Sequence, residues 1–412
     1  MNFEADWAPM RKLASRCTLP APAPLAGIWP PMSEPKDKPT APAHARTRRH
    51  SVTTEVPAES IEIVPVDENP RKNEHLRVAL DARVERPGRG NGLSAYQFDP
   101  QSLPELDLDQ VDTSCIVLGK RLSAPLLVGA MTGGTAQAGA VNRVLATAAE
   151  LCGVGFCLGS QRAMLDLAGD HVRSFAMREV APTTLLLGNI GAIQLRDHLS
   201  GKDLERLALA VGADGMMVHL NPLQEAIQPE GDRDWRGVYD ALGDVAASCG
   251  LPVLVKEVGA GLSATSLNRL KLLGIAGVET AGVGGTSWSY IEALRHRGRT
   301  PQAIAGEVLA DFGTCTADSL QLARVAFANR VVIASGGLRN GLEVAKCMAL
   351  GASACAMAAP FLQAATVGVE AVVTEILGVI ETLRITMFLV GAPDVHQLGQ
   401  TPLVRTASCT PR

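Results

Sequence analysis

Arg330-Val-Val-Ile-Ala-Ser-Gly-Gly-Leu-Arg339 reads as a strand buried on both faces that runs directly into a glycine turn. An unbroken apolar run leaves no face for solvent, which is how the strands of a covered parallel sheet read. The same pattern precedes it in Pro125–Met131, Val154–Gly159, Thr184–Gly188, Gly215–Leu220, Pro252–Glu257 and Gly277–Thr280, and follows it in Ala354–Ala358. Helix-period stretches separate the runs, among them 140–151, 202–211, 263–273 and 341–350. Strand–helix units repeated over roughly 250 residues predict an α/β chain folded as a (β/α)8 TIM barrel. A doubly wound open sheet is the alternative, but the first run lacks the G-x-G-x-x-G turn such a sheet uses. One spacing is irregular, with about 50 residues from Gly282 to Arg330, and an over-long barrel loop is more often functional than idle. Val367–Val390 is apolar, yet Glu370, Glu375, Glu381 and Arg384 interrupt it, so it reads as a packing helix rather than a membrane span.

The whole chain has 412 residues, 47% hydrophobic and 19% charged, with formal net charge −4. Those values exclude a mainly disordered protein and a generally basic one that coats nucleic acid. Nine cysteines without C-x-x-C or finger spacing read as reduced thiols in a cytoplasmic protein. Residues 1–60 differ, holding ten of the 25 prolines in runs such as Pro20-Ala-Pro-Ala-Pro24. Such a segment buries too little to offset its ordering entropy, so a disordered extension is expected at 1–60 and the barrel domain at 61–412. No apolar run there is long enough for a signal-peptide core, and Met32 is a candidate translation start.

Polar residues gather immediately after the strands, where barrel enzymes keep their sites: Met131-Thr-Gly-Gly134, Ser160-Gln-Arg162, Asn189, His219 with Asn221, Gln224 and Glu225, Lys256-Glu257, Gly284-Gly-Thr286, and Ser335–Arg339. Gly336-Gly337 and Ala358-Ala359 are small enough for backbone N–H groups to approach a phosphate, or they merely permit tight turns. Lys256, inside an apolar strand, needs an anionic ligand, a flavin edge, or an ion pair with Glu257 or Glu225. Glu225 among amides suits a one-carboxylate magnesium anchor, or a salt-bridged helix end. His219 reads equally as an acid–base group or a structural one, and Asp232-Arg-Asp234 as a solvated turn. Asn69-Pro-Arg-Lys-Asn-Glu-His75 places two cations and a histidine at a helix start, or is merely a solvated charged turn.

Taken in order, Arg71-Lys72-x-x-His75, Met131–Gly134, Gly159-Ser-Gln-Arg162, His219-Leu-Asn-Pro-Leu-Gln-Glu225, Lys256-Glu-Val-Gly259, Gly284-Gly-Thr-Ser-Trp288 and Ser335-Gly-Gly-Leu-Arg339 resemble the type 2 isopentenyl-diphosphate isomerases. The resemblance implies a TIM barrel that interconverts isopentenyl and dimethylallyl diphosphate, using FMN, NADPH to reduce it, and Mg2+. It implies that Ala130, Met131, Thr132, Ser160, Asn189, Lys256, Thr286, Gly337, Leu338, Arg339, Ala358 and Ala359 hold FMN. Arg71, Lys72, Ser160, Gln161, Arg162 and Gln224 would hold the substrate and Glu225 the metal. No side chain is an evident acid for an alkene, so reduced flavin is expected to supply that chemistry. A homo-oligomer, tetramer or octamer, is implied too, with no nucleic acid or membrane partner. The family often has Asp where Glu279 stands and Trp-Gly at Phe312-Gly313. The rival readings are an FMN-dependent barrel oxidoreductase and a non-catalytic flavin-binding protein. The hydroxy-acid oxidases carry His-Gly-Gly late in the barrel, where this chain has Ser335-Gly-Gly.

Overall fold

Every apolar run becomes a strand in the computed structural model, which describes residues 70–80, 88, 90–165, 172–196 and 199–406. The barrel strands are preceded by β1 (Tyr96–Phe98) and a hairpin of β2 (Cys115–Val117) and β3 (Lys120–Leu122). They are β4 (Leu126–Val128), β5 (Gly155–Cys157), β6 (Leu186–Gly191), β7 (Gly215–His219), β8 (Val253–Lys256), β9 (Gly277–Glu279), β10 (Val331–Ser335) and β11 (Ala354–Met357). A last strand, β12 (Leu403–Arg405), pairs antiparallel with β1. All eight barrel strands are parallel and close in the order β10-β11-β4-β5-β6-β7-β8-β9, which excludes the open sheet. The expected extension at 1–60 and the start at Met32 lie outside the described residues.

Two layers of core explain the continuous apolar strands. Leu127, Cys157, Leu187, Met217, Leu254 and Ile333 fill the barrel interior, where the hairpin adds Val117 and Leu122. Their neighbours Leu126, Val128, Phe156, Leu186, Met216, Val218, Val255 and Val332 face the surrounding helices. Alternation along a strand thus buries both faces, one against the other strands' side chains and one against helices.

Helix ends follow local capping chemistry. Thr135 caps α2 (Ala136–Cys152, after α1 at Pro70–Ala79), and Gly153 ends it in the left-handed region. Ser200 and Asp203 form a reciprocal capping box at the helix Gly201–Val211. The long connection after β9 holds helices Trp288–Arg295 and Pro301–Val308 before the helix Thr316–Ala326 that packs on β10. Val369–Leu389 is one helix packed on α2 and on the helix Gly341–Ala349. Among the described residues no helix is long and apolar enough to cross a membrane.

Candidate active site

Strand alternation also builds the floor of the site. Leu187, Met217, Leu254 and Ile333 point into the barrel, so Asn189, His219, Lys256 and Ser335, two residues further along, point inward one layer higher. With Glu279 they line a cavity at the carboxyl end of the barrel, which encloses about 1690 Å³ including its open mouth. Ala130, Met131, Thr132, Ser160, Arg162, Gln224, Glu225, Thr286, Gly337, Leu338, Arg339, Ala358 and Ala359 line the same cavity, as does Lys72 from α1.

Lys256 is only 6% exposed, and its ammonium donates to the Glu257 carbonyl oxygen at 2.8 Å. Neither expected carboxylate takes it. Glu257 turns Oε2 back onto the N–H groups of Val258, Gly259 and Ala260, at 2.6, 2.7 and 2.6 Å. Burial raises the Glu257 carboxyl, opposed by those three N–H groups and by Lys256. Glu225 is buried and accepts from Asn221 Nδ2 at 3.0 Å and from the Asp232 N–H at 2.8 Å. The turn at Asp232 therefore holds the carboxylate rather than being merely solvated. Asn221 Oδ1 is buried with no hydrogen-bond partner among the described residues. A carboxylate beside an unused amide oxygen is a hard-oxygen set that fits a magnesium ion completing its shell with water and phosphate.

His219 has a defined tautomer. Asn189 Nδ2 donates to the Leu158 carbonyl at 3.1 Å, which leaves Asn189 Oδ1 as the acceptor facing His219 Nδ1 at 2.9 Å. Nδ1 therefore carries the hydrogen and Nε2 the lone pair. Burial, and then the Lys256 charge, lower the imidazole pKa from 6.5 to about 3. The unfolded chain thus binds an extra proton between those values, and native stability falls as pH drops from 6.5 toward 3. His219→Asn should flatten that part of the profile by up to one proton. Guanidinium unfolding of both proteins across the window checks this, and parallel profiles would contradict it.

Backbone geometry, rather than side chains, shapes the end of the cavity beside β10 and β11. Gly336 and Gly337 have φ of 108° and 73°, the left-handed region that favours glycine. A Cβ at Gly337 would also strike the Gly284 carbonyl, so the glycines at 284–285 and 336–337 let two loops pack backbone to backbone. No described hydrogen bond is donated by the N–H groups of Gly337, Leu338, Ala358 or Ala359. N–H groups on one cavity with no described partner fit a phosphate. Asn91 supports the turn, donating to the Gly337 carbonyl at 3.0 Å and to Glu343 Oε1 at 2.8 Å, while Glu343 Oε2 accepts from the Arg339 N–H at 2.7 Å.

The helix α1 also lines the cavity, through Lys72, His75, Leu76 and Ala79. Lys72 Nζ bonds the Gly133 carbonyl and sits 5.7 Å above the Phe175 ring. Glu292, with no exposed surface, anchors the helix: His75 Nε2 lies 2.9 Å from its Oε1, and Gln224 Nε2 donates to the same oxygen at 2.8 Å. Arg295 bonds its other oxygen and reaches back to Glu74 at 3.1 Å. Trp288 meets the His75 ring edge-on at 5.4 Å. Burial pushes the Glu292 carboxyl up, but His75, Gln224 and Arg295 outweigh it and hold the group below the usual carboxylate range.

Two anticipated residues stand apart. The Arg71 side chain lies outside the described set. Gln161 has no exposed surface and does not line the cavity: it donates to the Leu207 carbonyl at 3.1 Å and accepts from the Asn189 N–H at 2.9 Å, so it braces the barrel wall. Conversely, sequence reading missed Glu292, Arg295 and Asn91. Glu292 shares an i,i+3 pair with Arg295, but no local signal ties either to α1, since Arg295 and Glu74 are 221 positions apart.

The family profile described as FMN-dependent dehydrogenase matches residues 224–405. The isopentenyl-diphosphate delta-isomerase of Stutzerimonas stutzeri (strain A1501) is 45% identical over 339 residues, 82% of this chain and 98% of that protein. That of Methanosarcina barkeri is 40% identical over 82% of this chain and 92% of its own length. Among solved structures, a flavocytochrome b2 variant with sulfite bound superposes with TM-score 0.59 at 19% identity, covering 82% of this chain and 86% of that one. A mandelate oxidase variant with (S)-mandelic acid gives TM-score 0.57 at 19% identity over 81% of this chain and 95% of that one. At such identity these two structures speak to the fold alone.

Proposed function

Since this chain belongs to the isopentenyl-diphosphate delta-isomerase family, we propose that it interconverts isopentenyl and dimethylallyl diphosphate with FMN and magnesium in the cavity above the barrel core. One observation carries the reading: a single cavity is lined by backbone N–H groups that donate no described hydrogen bond, a buried ammonium, a separate carboxylate–amide oxygen set and a cationic helix. The cradle at Gly337, Leu338, Ala358 and Ala359 would take the FMN phosphate. Lys256, Asn189, Ser160, Thr286 and the 130–132 backbone would meet the ring. Lys72 and Arg162 would hold the diphosphate, while Glu225 shares magnesium with it.

The reaction moves a proton on and off an allylic system without net redox change. Reduced flavin, with NADPH as its reductant, would supply the acid–base chemistry for an unactivated alkene. The protein's own work is to orient and to exclude water. Gln224, pinned by Glu292 and Asn221, would press the isoprenoid carbons toward the ring, and α1 would close over them. His219, neutral with Nε2 bare, adds no positive charge to that floor.

Anaerobic turnover of isopentenyl diphosphate, with FMN, magnesium and NADPH omitted in turn, tests the reading. Product that needs flavin and magnesium, with NADPH only catalytic, is expected. Bound FMN without product would favour the oxidoreductase reading. Gly337→Ala tests the cradle separately: a strained φ and a backbone collision should weaken FMN binding by ~10-fold or more. Equal affinity in a fluorescence titration would move the phosphate elsewhere.

A further inference from the structure

The cavity floor holds a group that no step above uses. Glu279 is 3% exposed, and its Oε1 accepts from Ser335 Oγ at 2.7 Å. Its Oε2 is buried without a hydrogen-bond partner among the described residues. Directly across the β8–β9 register stands Lys256, also buried, whose described hydrogen bond goes to a neutral carbonyl. No described ion pair joins the two, so neither charge is quenched by contact. Cys157, below them, senses both: burial raises its thiol, Glu279 raises it further and Lys256 opposes. An ammonium and a carboxylate thus act side by side on the same buried floor, where charges are poorly screened.

We propose that Glu279 sets the reduction potential of the bound flavin by acting as the counter-charge to Lys256. A lone ammonium facing the ring would favour the electron-rich reduced form; a carboxylate beside it offsets that field and keeps reduction harder. Glu279 is in this sense a positioning residue for charge, acting through the floor rather than on substrate. The inference rests on FMN occupying this cavity.

The test is the midpoint potential of bound FMN, by anaerobic reductive titration of wild type, Glu279→Gln and Glu279→Asp. Glu279→Gln, nearly isosteric and able to keep the Ser335 bond, should favour reduction at least ~tenfold, a positive shift of about 30 mV for a two-electron couple. Glu279→Asp keeps the charge and should stay near wild type. Should the Gln variant not fold, Glu279→Thr carries the same expectation. Unshifted neutral variants, equal shifts in neutral and charged variants, or a folded Gln variant that no longer holds FMN would each overturn the proposal. Wild type that binds no FMN would instead overturn the reading on which it rests.

Discussion

Glu225→Gln is expected to lower isopentenyl diphosphate turnover at least ~10²-fold at limiting magnesium while FMN stays bound. The substitution keeps the size of the side chain and removes the charge. Both carboxylate oxygens already accept hydrogen bonds, from Asn221 Nδ2 and from the Asp232 N–H. A Gln amide must turn its NH2 toward one of those donors, so it loses a bond as well as a ligand. Lys256, Asn189 and Gly337, proposed to meet the flavin, make their described hydrogen bonds elsewhere, which is why flavin content should be spared. Initial rates across a magnesium titration, with FMN measured by absorbance, decide it. Chelation of wild type should reproduce the loss; turnover unchanged at every magnesium concentration would take Glu225 out of the metal site.

The second large effect is expected from Glu292→Ala. Removing one partner of a buried charge network costs about 3–5 kcal/mol, because the remaining charges keep their desolvation penalty. Here Gln224 would lose its acceptor, Arg295 one of three carboxylate partners, and His75 the carboxylate 2.9 Å away. The damage should be local, since the network joins α1 to the helix Trp288–Arg295, where Val78 also meets Ile291, while Leu76 and Lys72 hold α1 elsewhere. Amide exchange protection over residues 70–79 should fall by at least ~10²-fold, and turnover by a similar factor as Lys72 and Gln224 lose their settings. Barrel strands should keep their protection. Full protection of α1 in the variant would mean that something other than Glu292 holds the helix.

Much of this molecule was legible in the chain. The barrel runs were readable because parallel strands buried on both faces leave an unbroken apolar signature, and the polar residue after each run marks the carboxyl end. Lys256, Glu225 and the Gly336-Gly337 pair were conspicuous for local reasons: a charge in an apolar strand, a lone carboxylate among amides, and glycines at a strand end. Gln161 was less legible. It stands between Ser160 and Arg162, both on the cavity, yet the turn after β5 directs it into the wall. The sense of a side chain in an irregular turn depends on packing that no period encodes.

The sequence by itself therefore determined the barrel, the end at which the cavity lies and most of the residues that line it, since these follow from periodicity and from the chemistry of single positions. Only the tertiary structure decided the pairings. Glu292 became the anchor of α1, Asn91 the support of the β10 turn, and Glu279 the neighbour of Lys256 across the β8–β9 register. The choice of partner across hundreds of positions is made by barrel closure and helix docking, which bring distant groups within hydrogen-bond range and exclude the water that would otherwise make them interchangeable.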